Sequence, residues 1–207
     1  MIKFIPKDSK EILLYSEEQL EKAIGVKWLP QLEFLKNSFQ KRVSRRCQKA
    51  LRRDLFAIKQ KWLGAFFSQE IQKGSHPDLI ISWIGHTIGY GVIAGENLPK
   101  GAFVGEYTGV VRKRKRREEN SYCFQYAIGD DWKTPFVIDA KEKGNYTRFI
   151  NHTSKSNLEP ISVYCAGAMH VILITLRQIA KGEQLCYDYG PDYWTKRNQT
   201  PLDLINP

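Results

Sequence analysis

The chain has few cysteines, and they lie far apart. Cys47, Cys123, Cys165 and Cys186 form no C-x-x-C pair, which argues against a thiolate zinc site and supplies no disulfide framework. Such usage points to a reducing compartment. No apolar run approaches the roughly 20 residues that span a bilayer. Met1 to Lys10 is charged and lacks an apolar core, so no secretory signal is visible. Internal repeats and low-complexity tracts are also missing. No G-x-G-x-x-G precedes a helix-like run, which sets aside a Rossmann phosphate loop.

What is present suits a soluble folded protein: 207 residues, 42% hydrophobic and 12% aromatic. This is enough for one medium domain and a smaller helical part. The formal net charge is +10, which favours an anionic partner such as nucleic acid, chromatin or acidic lipid. The charge is uneven. Residues 1–78 carry 16 Lys/Arg against 9 Asp/Glu, and the remainder carries 16 against 13. The basic character therefore belongs mainly to the N-terminal part.

Residues 16–70 read as helical. Ser16 before Glu17-Glu18-Gln19 is a capping-box pattern. Leu32, Leu35 and Phe39 recur at helical spacing, as do Leu51, Leu55, Ile58, Trp62 and Phe66. Pro30 is expected to open a new helix, because proline is tolerated in a first turn. A helix from there to Glu70 would be long, so the pattern implies either two helices or one packed against a second copy of the chain. Gly74-Ser75-His76-Pro77 stops it.

After Pro77 the pattern changes to short β-type runs between turn residues: 79–84, 92–94, 102–104, 136–138 and 171–176. The fold class is therefore α+β, with a basic helical region over 1–78, a mainly β domain over 79–190 and a C-terminal segment over 191–207. The helical region carries apolar stripes that need cover, and a homodimer interface would provide it.

Four short motifs follow in order. Gly89-Tyr90-Gly91 reads alone as a tight turn, or as backbone closely approaching a ligand. Glu106-Tyr107-Thr108-Gly109 comes next. Arg148-Phe149-Ile150-Asn151-His152 leads through strand-like sequence to Gly182-Glu183 and then Tyr187-Asp188-Tyr189-Gly190. Alone, Asn151-His152 fits a polar loop or a satisfied core histidine, and the tyrosine pair fits packing.

The ordered set resembles SET-domain protein-lysine methyltransferases, and in particular the compact, zinc-free bacterial proteins of chlamydial type. That resemblance implies short twisted sheets closed by a pseudoknot, in which the Asn-His segment passes beneath another loop. It implies a protein-lysine N-methyltransferase (EC 2.1.1 class) that uses S-adenosylmethionine and no metal. Tyr189 falls at the catalytic tyrosine, and Tyr187 at the switch that tunes methylation number. Tyr107 falls in the wall of the lysine channel. Gly89, Tyr90, Gly91, Tyr122, Arg148, Asn151, His152 and Tyr189 fall at cofactor contacts, with carbonyls around Arg148 and Ile150 near the methyl. The family's Ser-Cys continuation is replaced by Thr153-Ser154, followed by Lys155-Ser156-Asn157. Pro191-Asp192-Tyr193-Trp194 stands where many relatives carry a cysteine-rich zinc cluster, and Trp194 is the candidate cover for the adenine, with Tyr193 second.

Histones or lysine-rich histone-like proteins are the substrates the resemblance implies. The compartment would be the bacterial cytoplasm or, after secretion, a host cell and its nucleus. A non-histone protein substrate is an alternative, as is a chromatin- or DNA-binding protein with a SET fold and little activity. Two basic stretches, 41–53 and Arg112 to Arg117, are solvated faces, nucleic-acid contacts or a nuclear-localisation patch.

Overall fold

The structure, a computed structural model, describes residues 1–116, 120–129, 134–195, 197 and 200. The N-terminal region comprises β1 (Ile2–Ile5), β2 (Leu13–Tyr15), α1 (Glu17–Ile24), β3 (Lys27–Trp28), β4 (Glu33–Phe34), α2 (Asn37–Arg52), α3 (Ile58–Phe66) and α4 (Ser68–Lys73). The strand-rich part follows with β5 (Leu79–Gly85), β6 (Gly89–Ala94), β7 (Phe103–Glu106), β8 (Val110–Lys113), β9 (Cys123–Gln125), β10 (Phe136–Asp139) and β11 (Lys143–Gly144). A 3₁₀ turn (Tyr146–Phe149) then leads to β12 (Asn151–His152), β13 (Leu158–Cys165), β14 (Ala168–Thr175), β15 (Gln184–Tyr187) and α5 (Pro191–Thr195). This is the expected α+β class.

Among the described residues, the largest sheet runs β2-β1-β5-β6-β15-β13-β14-β7, with β12 joined to β15. A second sheet runs β4-β8-β10-β9, and β3 pairs with β11. The N-terminal strands are thus built into the sheets of the later part. β1 lies parallel to β5, β4 parallel to β8 and β3 parallel to β11.

The capping box at Ser16 forms as expected. The Gln19 amide donates to Ser16 Oγ at 3.2 Å, and the Ser16 amide donates to Gln19 Oε1 at 2.8 Å. Gly25 ends α1 at φ 69°, a left-handed turn suited to glycine. Gly74 ends α4 where the helix stop was expected.

Pro30 does not open a helix. Pro30 lies in a bend between the two-residue strands β3 and β4, and amides around it go to neighbouring strands: Leu29 to the Gly144 carbonyl, Glu33 to Gly109 and Leu35 to Val111. These cross-chain bonds outweigh the helical spacing of Leu32, Leu35 and Phe39, and the helix begins at Asn37. The run is cut again after Arg52, where Asp54 takes φ 53°, so no helix extends over 31–70.

α2 packs on the second sheet. Val43 and Cys47 are fully buried among Val111, Tyr126, Ile138 and Met169. Burying a side chain such as Val43 contributes about 1.5–3 kcal/mol. The same burial pushes the Cys47 thiol up to about 11, which leaves it unreactive. α3 and α4 cover β13 and β14 through Leu63, Phe67 and Ile71 against Ile161, Val163 and Ile172. Gly64 allows that approach, since a Cβ there would sit 2.0 Å from the Tyr164 carbonyl oxygen. Leu51, Leu55, Ile58, Trp62 and Phe66 remain exposed.

Candidate functional site

The segment after the 3₁₀ turn wraps the last strand of the sheet. β12 lies parallel to β15, with Asn151 opposite Cys186 and His152 opposite Tyr187. Asn157 then fastens it. Its Nδ2 donates to the Gln184 carbonyl at 2.8 Å, its Oδ1 accepts from the Cys186 amide at 2.9 Å, and its own amide donates to the Cys186 carbonyl at 3.1 Å. A fully buried asparagine needs such saturation, because an unpaired polar group there costs about 1–3 kcal/mol. The Thr153 amide also donates to the Tyr187 carbonyl at 3.3 Å, so both ends of 153–157 are held to β15.

This arrangement opens a cavity of about 390 Å³. Gly89, Tyr90, Tyr107, Tyr122, Arg148, Asn151, His152, Tyr187, Tyr189 and Trp194 all line it. Gly91 stands behind the wall. A Cβ on it would meet Ile84 Cγ1 at 2.7 Å, Gln184 Nε2 at 2.8 Å and Asn151 Nδ2 at 3.0 Å. The glycine therefore lets β6 come close to Asn151, whose Nδ2 donates to the Tyr90 carbonyl at 3.1 Å.

Ile24, Val26, Thr87, Ile88, Ser121, Phe149 and Tyr193 complete the lining. Ile24 ends α1 and Val26 follows its Gly25 cap, far from every motif in the sequence. Nothing in their local pattern marks them; packing of α1 on the core and the pairing of β3 with β11 bring them here. Tyr193, the second candidate for the adenine cover, lines the cavity beside Trp194.

Tyr107, Tyr187 and Tyr189 line the cavity together. Burial pushes the phenols of Tyr107, Tyr187 and Tyr189 well above the ordinary tyrosine range, so all three stay protonated at neutral pH. The Tyr189 ring keeps some surface open to the cavity, while its hydroxyl donates to the Ile150 carbonyl at 2.9 Å. Tyr107 donates to the Tyr122 carbonyl at 2.9 Å. The Tyr187 and Tyr189 rings lie 4.8 Å apart, and Phe124 sits 6.4 Å from Tyr187. Glu106, beside Tyr107, is a buried brace: its carboxylate meets His170 Nδ1 at 2.6 Å across β7 and β14.

Arg148 also lines the cavity. Its guanidinium lies 4.0 Å from the Tyr122 ring centroid, and its Nε donates to the Ala140 carbonyl at 2.7 Å. Burial lowers its basicity, and neighbouring Tyr122 and Tyr107 work the other way. His152 Nδ1 accepts from the Tyr189 amide at 3.1 Å, so the neutral ring carries its proton on Nε2.

α5 contributes Tyr193 and Trp194 to the lining. Trp194 packs edge-on against His152 at 4.9 Å and lies parallel to Tyr189 at 6.1 Å. Its Nε1 is buried with no hydrogen-bond partner.

The basic run over 112–117 is not a uniform stripe. Arg112 Nε pairs with Asp139 at 2.7 Å, and Arg114 bonds the Gln125 side chain. Arg117 lies outside the described residues. In α2, by contrast, Lys41, Arg42, Arg45, Arg46, Lys49 and Arg52 all face outward, and the helix contains no acidic residue. Among the described residues, no group of three or more His, Cys, Asp or Glu could hold a metal ion. No helix there is long and apolar enough to cross a membrane.

Residues 89–190 match the family model described as SET domain. The human histone-lysine N-methyltransferase EHMT1 is 37% identical over 114 residues, which cover 52% of this chain and 9% of that protein. The putative histone-lysine N-methyltransferase ASHH4 of Arabidopsis thaliana is 36% identical over 106 residues, 49% of this chain and 30% of that protein. Among solved structures, ctPRC2 in an autoinhibited conformation bound to S-adenosylmethionine shares 26% identity at a TM-score of 0.51. That match covers 61% of this chain and 17% of the other. The chain thus spans less than a third of the length of these relatives.

Proposed function

We propose that the protein is an S-adenosylmethionine-dependent protein-lysine N-methyltransferase, because residues 89–190 match the SET-domain model and histone-lysine methyltransferases are among the proteins similar to it. The observation that carries the reading is the single cavity where Tyr107, Tyr187 and Tyr189 meet Asn151, His152 and Trp194.

The donor set fits the cofactor. Close backbone packing at Gly91, the amide of Asn151 and the Tyr122–Arg148 stack form a polar wall suited to a zwitterionic methionine moiety. Trp194, with its unpaired buried Nε1, offers an aromatic face and a donor suited to adenine. When bound, S-adenosylmethionine supplies an electrophilic methyl group on a sulfonium sulfur.

The protein's own part is alignment and desolvation. A lysine amine has an ordinary pKa of about 10.4 and arrives as an ammonium that cannot attack. An apolar ring of buried phenols disfavours that charge and assists loss of the proton to water. The hydroxyls of Tyr107 and Tyr189 are held by carbonyls, so their oxygens face the reacting region without searching for a geometry. Tyr187 limits the space beside Tyr189 and so controls how many methyl groups the amine accepts.

The substrate we assign is a histone or histone-like protein. The outward cations of α2 support nucleic acid as a second partner, where the enzyme and a basic substrate would meet on one polyanion. The exposed Ile58, Trp62 and Phe66 on α3, with Trp62 and Phe66 stacked at 5.0 Å, support a homodimer. The Pro191-Asp192-Tyr193-Trp194 sequence supports the zinc-free bacterial type, with action in the bacterial cytoplasm or in a host nucleus. Calorimetric titration with S-adenosylmethionine tests the core of this reading. Binding is expected, and a folded protein that takes up none would remove it.

A further inference from the structure

We infer that Arg197 is a positioning residue that fastens the Tyr193–Trp194 wall across the cofactor cavity. α5 is a five-residue helix with no fully buried residue, and its packing is confined to the partly buried Tyr193 and Trp194 rings against Tyr189 and His152. Arg197 supplies a hold from two sides. Its Nη1 donates to the Tyr193 carbonyl at 2.8 Å, and its Nη2 donates to the Asn120 carbonyl at 2.5 Å. Its guanidinium carbon also lies 3.9 Å from the Tyr193 ring centroid. A planar guanidinium can bond two carbonyls and stack on a ring at once, which an ammonium cannot do.

The far end of this fork is anchored in its turn. Asn120 Nδ2 donates to Asp139 Oδ1 at 2.7 Å, and Asn120 Oδ1 accepts from the Tyr122 amide at 2.9 Å. Arg197 therefore joins the wall that carries Tyr193 and Trp194 to the loop that carries Ser121 and Tyr122. Both walls line the one cavity. The ligand in this inference rests on the S-adenosylmethionine reading, but the fastening itself does not.

The test compares wild type, Arg197→Ala and Arg197→Lys. Chymotrypsin cleavage after Tyr193 and Trp194 is timed without ligand, S-adenosylmethionine affinity is measured by calorimetry, and melting temperature is recorded. Arg197→Ala is expected to be cut at those bonds about tenfold faster and to bind about tenfold more weakly, with an unchanged melting temperature. Arg197→Lys is expected to follow the alanine variant. Wild-type cleavage and affinity in Arg197→Ala would overturn the inference, and so would full rescue by lysine or a lowered melting temperature. If wild type binds no S-adenosylmethionine, the methyltransferase reading fails, and the ligand-free cleavage rates alone judge the fastening.

Discussion

Tyr189 is tied to His152 by its backbone and to Ile150 by its side chain. Its amide donates to His152 Nδ1 at 3.1 Å, and its hydroxyl donates to the Ile150 carbonyl at 2.9 Å. The two bonds grip the 150–152 segment on either side of Asn151, so the phenol has one position. Tyr189→Phe should keep the fold and lower methyl transfer by about 10²-fold, the usual cost of losing a preorganised polar group at a reacting centre. Turnover on a verified substrate, read beside a melting curve, checks this. Wild-type turnover would mean that another group does the work.

Tyr187→Phe should behave differently. Its ring stays packed near Phe124 and Tyr189, but removal of the hydroxyl leaves room that a water could occupy. The product is expected to move towards higher methylation states at similar total turnover. Mass spectrometry of the modified lysine reads the outcome, and an unchanged product distribution would reject the switch role.

Asn151→Ala and His152→Ala should each weaken S-adenosylmethionine binding about tenfold, because hydrogen bonds to charged groups contribute about 1.5–3 kcal/mol. Titration calorimetry measures it. Wild-type affinity in both variants would separate the Asn-His segment from the cofactor.

Asp139 gives the fold an acid-side dependence. Burial works against its charge, but hydrogen bonds from the Lys141 amide, Arg112 and Asn120 hold its carboxyl below the ordinary carboxylate range. A lowered folded-state value contributes stability that is present above the unfolded value, near 4, and is lost as pH falls through the folded value. Asp139→Asn should therefore melt lower than wild type from neutral pH down to about pH 5, with the gap closing below about pH 4. Melting curves across that range test it. A gap that persists unchanged at low pH would show that the carboxylate charge is not what matters.

Much of the later part of the chain was legible, because its strands have plain signatures. The runs 79–84 and 171–176 are apolar and β-branched, and they became β5 and β14. The motif residues gather round one cavity because Asn-His and Tyr-x-Tyr are joined by β12 and β15. The N-terminal part was harder. β3 and β4 have two residues each, too few to show a period, and backbone pairing with distant strands formed them. Helical spacing at Leu32, Leu35 and Phe39 was coincidental there. Packing of α1 on the core and the same distant pairing carried Ile24 and Val26 to the cavity without a local mark. Arg112 and Arg114 looked like part of an open cationic stripe, yet their partners Asp139 and Gln125 lie on other strands.

Lysine methylation is tested by mapping transferred label. Labelled S-adenosylmethionine is incubated with the protein and with purified histones, histone-like bacterial proteins and mixed lysates, and the modified residues are mapped. Label is expected on lysine side chains of a basic protein, and its loss with Tyr189→Phe. Folded protein that binds the donor but labels no lysine in any of these mixtures would contradict it.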